Sequence, residues 1–195
     1  MFRERRVMKD SGLPDATGLI RELPRIRRYA RQNEEMDYRF REYLKVRLPL
    51  SNAELDGVVT ELTTEVWGQI DCLTCGNCCK TLQIVVDDKD IARLARRLGV
   101  SAKAFAEQYV GVAPDGVKHF LSTPCSFLGD GNRCTVYEDR PQACRDFPYL
   151  QDRNFRSRTL MMIESCATCP IVFNVWDRLK KRFPIPAKTN VRKPR

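Results

Sequence analysis

The sequence predicts a mainly α fold with short β-strands (α+β), in which a small, irregular, metal-stapled domain follows a helical hairpin. Three observations carry this expectation. Between residues 23 and 70, two stretches place apolar residues at helical spacing. The chain concentrates its nine cysteines between positions 72 and 169, four of them in "DCLTCGNCCK". Beyond Pro114, Pro, Gly, Asp and single cysteines alternate with short apolar pieces, a pattern of turns more than of long elements.

The elements follow in order. "LPRIRRYARQNEEMDYRFREYLKVRL" (23–48) is rich in helix formers, with Pro24 where a first-turn proline is tolerated. Ile26, Tyr29, Met36, Phe40, Tyr43 and Leu44 form its apolar stripe, and Pro49 ends it. "SNAELDGVVTELTTEVWGQI" (51–70) starts with Ser51 and Glu54 in the spacing of a capping box. After the dense cysteines, "TLQIVV" (81–86) reads as a short strand. Two short helices follow, separated by Gly99, with Ser101 capping the second. "FRSRTLMMI" (155–163) is expected as another strand, and "CPIVFNVWDRLKKRF" as a final helix whose basic last turn suits the helix dipole.

These readings divide the chain into a flexible N-terminal arm over 1–20, a single α-rich domain over 21–183 and a flexible basic tail over 184–195. The metal-binding region of the domain spans about 70–171.

The 195 residues include 43% hydrophobic ones, enough for a buried core. The formal net charge of +9 favours acidic partners, nucleic acid or protein, through the basic N-terminal helix and the C-terminal tail. No stretch is long and apolar enough to span a bilayer, and the charged N-terminus has no apolar leader segment, so a cytoplasmic protein with no membrane partner is expected.

In a reducing compartment, dense and regularly spaced cysteines point to metal ahead of disulfides. Thiolates are soft ligands that select zinc, iron–sulfur clusters or cuprous copper. A gap of two residues lets both sulfurs of one turn reach a single ion. Cys72 and Cys75 have that gap, as do Cys75 and Cys78, and Cys166 and Cys169. Cys79, adjacent to Cys78, cannot easily share a tetrahedral ion already held by Cys72 and Cys75. Two metals, or a cluster of several irons, are therefore expected. Cys125, Cys134 and Cys144 sit singly on turn-rich segments, as ligands of a shared site would. Nine thiols fill two four-ligand sites and leave one spare. The lone histidine, His119, is left out of the site.

Thiolate-bound metal carries net negative charge that nearby donors and cations must compensate. Arg140 and Arg145, flanking Cys144, are the candidates, donating to sulfur or to backbone carbonyls around it. The competing reading pairs them with Asp139 and Asp146 on the surface.

"CLTCGNCCK", "PCSFLGDGNRCTVYEDRPQACRDFP" and a "CP" opening a helix together resemble the YkgJ-type cysteine-cluster family, described as zinc- or iron-chelating. The resemblance runs from Cys72 to Pro170. It implies cluster cysteines at Cys72, Cys75, Cys78, Cys79, Cys125, Cys134 and Cys144, with Cys169 as the downstream member and Cys166 as the spare. The spacing of Cys166 and Cys169 speaks the other way. Some larger members of the family resemble flagellin lysine methylases, in which the cysteine block is one part of a longer enzyme; this chain lacks room for that remainder.

Three functional classes remain. The first is a metal-binding protein holding zinc, iron or an iron–sulfur centre. The second is a basic nucleic-acid-associated or adaptor protein in which the metal is a structural staple. The helix–turn–helix spacing of "IARLARRLGVSAKAFAEQY" touches that class, but its second helix offers only Lys103 and Gln108 as contacts, beside an acidic Glu107. The third is a redox or radical-type enzyme component. Whether the chain is an enzyme is left open: a single histidine serves no Ser/His/Asp set, and no pair of carboxylates stands out.

Overall fold

The structure, a computed structural model, describes residues 17–186. The arm and tail expected at the ends lie outside the described residues at 1–16 and 187–195. Leu19 and Ile20, expected within the arm, are buried, and Ile185 packs on the same core. Ile20 is tied down by Asn174, whose side-chain amide accepts from the Ile20 N–H at 2.9 Å and donates to its carbonyl at 2.7 Å.

The single helix expected over 23–48 is two helices and a π-helical turn. Helix α1 (Leu23–Gln32) has Pro24 in its first turn and buries Ile26. It stops at Asn33, whose side chain donates to the Tyr29 carbonyl and so competes with the helical ladder. Helix α2 (Glu34–Glu42) restarts at once, with Glu34, Glu35 and Asp37 in a first turn that favours negative charge. A π-helical turn, Tyr43–Arg47, leads into Pro49. Helix α3 (Asn52–Trp67) carries the expected capping box: the Ser51 N–H donates to Glu54 at 2.7 Å, and the Glu54 N–H to the Ser51 hydroxyl at 3.2 Å.

Two very short helices, α4 (Cys72–Cys75) and α5 (Asn77–Thr81), hold the dense cysteines and are separated by Gly76. The expected strand at 81–86 is a correction. Residues 84–86 run extended, but only Val85 bridges a strand, and main-chain bonds link Val86 to Lys118 and Phe120 to Ile84. The strand beside it is too short to support more. Helices α6 (Asp88–Leu98) and α7 (Ala102–Tyr109) follow, with Gly99 left-handed between them and Ser101 capping the second. Strands β1 (Val110–Val112) and β2 (Lys118–Phe120) form a two-stranded antiparallel sheet with Gly111 opposite His119. Helix α8 (Gln142–Asp146) is a single turn carrying Cys144.

The expected strand at 155–163 is also a correction: a 3₁₀ turn over Phe155–Arg158 feeds helix α9 (Thr159–Cys166). The reason is remote in sequence. The Asp56 carboxylate, on α3, accepts from the Asn154 and Phe155 N–H groups at 2.7 and 2.8 Å, capping the turn from another helix. Helix α10 (Pro170–Arg182) is the last helix of the described residues, with Lys180, Lys181 and Arg182 in its last turn.

The fold is thus mainly helical with one small sheet, and its apolar residues form two cores. The first joins the N-terminal hairpin to the C-terminal helices: α3 packs on α10, and α2 on α9. Phe40, Leu55, Val59, Phe155, Met162, Val175 and Trp176 are among its buried residues. Asp37 is sealed against this core, accepting from the Trp176 indole at 3.0 Å and from Lys180 at 2.6 Å. The second core gathers Leu94, Phe105, Phe120, Phe127 and Val136 from α6, α7, the sheet and the loop after it. Among the described residues, no helix is long and apolar enough to cross a membrane.

Candidate metal centre

The cysteines lie where the two cores meet. Cys166 and Cys169 are buried members of the first core, whereas Cys125, Cys134 and Cys144 pack against the second. The segment holding Cys72, Cys75, Cys78 and Cys79 crosses between them.

Local chemistry shapes that crossing. Asp71 caps α4, accepting from the Leu73 N–H at 2.9 Å and the Thr74 hydroxyl at 2.7 Å. These bonds, the Thr74 hydroxyl first, hold its carboxyl below the usual range. Gly76 takes φ +55°, and a Cβ there would stand 2.6 Å from the Asn132 Cβ. Only glycine fits both the left-handed backbone and the close approach. Asn132 itself donates to the Thr74 carbonyl at 2.8 Å, joining the loop before Cys134 to α4. Asn77, buried in α5, donates to the Thr168 carbonyl at 2.6 Å, beside Cys169. The Cys125 N–H donates to the Cys79 carbonyl at 2.8 Å. The segments are therefore held together by amides and main chain, independently of sulfur.

Cys72, Cys78, Cys79, Cys125, Cys134 and Cys144 line one cavity of about 370 Å³. Its wall is completed by aromatic and aliphatic side chains, including Phe127, Val136, Phe147 and Met161, and by Arg140 and Arg145. Cys75, Cys166 and Cys169 are outside that lining. The Cys78 and Cys79 sulfurs are 4.0 Å apart. With Cys78 donating, the Cys79 thiol falls below the ordinary thiol range and that of Cys78 rises far above it.

The remaining shifts are mostly upward. Desolvation pushes Cys144 and Cys169 each up to about 12, and raises Cys125 and Cys134. Cys72 is exposed as a residue, yet its sulfur is desolvated enough to reach about 11, with Cys75 and Asp71 adding to the effect. Thiolate–thiolate repulsion sorts the neighbours: Cys169 feels Cys72 and Cys75, whereas Cys144 feels Cys79, Cys125 and Cys134. Cys166 is raised by burial, and its strongest charged neighbours are Asp37 and Lys180, ahead of Cys169.

Arg140 opposes these increases at Cys72, Cys134 and Cys144. Its guanidinium lies 3.9 Å over the Tyr137 ring and donates to the Tyr137 carbonyl at 2.8 Å. Arg145 donates to the carbonyls of Arg140 and Glu138. Asp139 pairs instead with Arg97, and Asp146 accepts from Gln142. His119 sits on β2, with Nδ1 3.1 Å from the Phe120 carbonyl, and is not part of the cavity wall.

The donor set is one that zinc or iron favours: soft sulfur, a cation to offset thiolate charge, and an apolar wall. Among the described residues, however, no three His, Cys, Asp or Glu side chains already stand in metal-binding geometry. The thiols are gathered and not closed. The residues that sequence reading missed are the amides that gather them, Asn77 and Asn132. Of these, only Asn132, following Gly131 in a turn, had a local signal.

The family model CxxCxxCC, described as a putative zinc- or iron-chelating domain, matches residues 71–170. No curated protein and no solved structure gives a significant match.

Proposed function

Since the chain belongs to the CxxCxxCC zinc- or iron-chelating family, we propose that it is a metal-holding protein using Cys72, Cys75, Cys78, Cys79, Cys125, Cys134, Cys144 and Cys169. The observation that carries this reading is convergence: thiols from five separate segments meet between two cores, six of them on one cavity. Bound metal would supply positive charge that makes the thiolates stable at neutral pH, reversing the cost that desolvation imposes. The protein's own residues gather the sulfurs, exclude water through the apolar wall and offset charge through Arg140. In this reading Arg145 keeps the carbonyls beside Cys144 satisfied. Cys166, whose strongest charged neighbours are Asp37 and Lys180, is the spare. The electrostatic neighbours support two groups, one around Cys72, Cys75 and Cys169 and one around Cys79, Cys125, Cys134 and Cys144. Cys78 feels members of both, Cys79, Cys169 and Cys144. A reducing, cytoplasmic setting belongs to the same proposal.

Metal analysis with the visible spectrum, on protein purified without oxygen, tests it. Iron with labile sulfide assigns an iron–sulfur centre and brings redox roles forward. A colourless protein with about two zinc ions assigns paired four-thiolate sites. Protein without stoichiometric metal, even after reconstitution with either ion, overturns the proposal.

A second reading rests on α1, which presents Arg27, Arg28 and Arg31 at the surface. Three guanidiniums on one short helix suit an acidic partner, with the metal as a staple. Binding to a nucleic acid that weakens steeply with salt supports that reading; no binding at low salt ends it.

A further inference from the structure

Helix α8 carries Cys144, yet it is a single turn with no fully buried residue of its own. What fixes it is a pair of residues on α6. Asp90 is 3% exposed. One of its oxygens closes the α6 capping box by accepting from the Asp87 N–H at 3.2 Å. The other reaches outward: it accepts from the Gln142 N–H at 3.1 Å and from the Arg93 guanidinium. Gln142 is the first residue of α8, and its N–H has no partner within that helix. Asp90 thus serves two helices with one carboxylate.

Arg93 completes the contact. Its Nε donates to the Asp139 carbonyl at 3.1 Å and its Nη2 to the Arg140 carbonyl at 2.9 Å. A planar fork with fixed donors holds two successive carbonyls in a way that lysine cannot. The turn that leads into α8 is therefore gripped at residues 139, 140 and 142, all from α6. Three contacts on one short turn leave Cys144 little freedom relative to the second core.

We propose that Asp90 and Arg93 are positioning residues for Cys144, holding α8 so that its sulfur faces the thiols it must join. The proposal rests on the metal-holding reading above. It predicts that the grip on α8 sets how firmly the metal group around Cys144 is held, although neither residue reaches a sulfur. Partners of this indirect kind change metal affinity by roughly 10–100-fold when removed.

The test uses the full chain with Arg93→Ala, Arg93→Lys and, as control, Arg97→Ala. Arg97 meets the same turn only through an exposed 3.7 Å ion pair with Asp139. Two readouts are taken: extraction of zinc or iron by a competing chelator, and alkylation of each cysteine mapped by mass spectrometry. Arg93→Ala is expected to release metal about 10–100-fold more readily and to speed alkylation at Cys144 while Cys75 and Cys169 keep their rates. Arg93→Lys, which keeps the charge and most of the packing, is expected to show the same selectivity to a lesser degree, and Arg97→Ala to match the parent. Equal extraction across the three, or acceleration spread over all the thiols, overturns the proposal. If the parent chain holds no stoichiometric metal, the metal-holding reading is what fails. Alkylation of the metal-free chain then decides the positioning role alone: selective acceleration at Cys144 supports it, and uniform rates overturn it.

Discussion

The Cys125 N–H donates to the carbonyl of Cys79 at 2.8 Å, so a main-chain bond joins two thiol-bearing segments that are far apart in sequence. The bond needs no sulfur chemistry. The contact depends on neither sulfur, so the thiols can be replaced one at a time without removing it.

Cys→Ser substitutions at Cys75 and Cys144 are expected to lose bound metal, and one at Cys166 to retain it. Serine keeps the size of the side chain but replaces a soft ligand with a poor one. Metal-to-protein ratios of the purified variants check this. Loss at Cys166 with retention at Cys169→Ser would exchange the two assignments.

Gly76→Ala forces a side chain into left-handed backbone and toward Asn132. The backbone alone costs about 1–2 kcal/mol, and the clash adds to it. Urea denaturation of the metal-free protein should show that loss. The same substitution at Gly18, which also has positive φ but open space around its Cβ, should cost only the backbone part.

Asp37→Ala removes the acceptor of both Trp176 and Lys180 and leaves a mostly buried ammonium without its partner. Breaking a buried pair in this way costs about 3 kcal/mol or more. Denaturant midpoints measure it. A change confined to metal content, with stability intact, would contradict the structural role given to Asp37.

The pH dependence follows from the thiols. Cys144 and Cys169 titrate in the folded metal-free protein at about 12, against about 8.5 for an unfolded thiol. Their neutral forms therefore favour the fold fully below about 8.5, and that contribution is lost as pH rises from there toward 12. Thermal melts of the metal-free protein should fall across the alkaline range. Metal-loaded protein should melt higher at neutral pH, and loading should release protons detectable in weakly buffered solution.

Several parts of this fold are legible in the sequence because their causes are local. Ser51 with Glu54, Gly99 before Ser101, and Pro170 opening α10 each act within a few residues of themselves. The errors have distant causes. Residues 155–163 read as a strand because nothing nearby shows that Asp56 will cap them as a helix. "TLQIVV" has strand composition, but its partner strand is three residues long and allows only a bridge. The long N-terminal helix breaks at Asn33, whose amide turning back on Tyr29 is a side-chain choice that apolar periodicity does not register. For the site, spacing marks Cys72, Cys75, Cys78, Cys166 and Cys169, whereas Cys125, Cys134 and Cys144 stand singly on turn-rich segments. Spacing does not separate Cys166 from Cys169; what differs between them in the structure is their neighbours, Asp37 and Lys180 for Cys166 against Cys72 and Cys75 for Cys169.

The first core draws on residues near both ends of the described chain, from Leu19 on one side to Leu179 on the other. This has a consequence for timing. A ribosome makes Cys72 through Cys144 before the helices that complete that core. For that interval the nascent chain carries seven thiols on a loop whose closing contacts lie far apart in sequence, the kind of closure that folds slowly. Those sulfurs would be open to oxidants and stray metal ions during synthesis, and the yield of correctly loaded protein would depend on how quickly the last helix arrives.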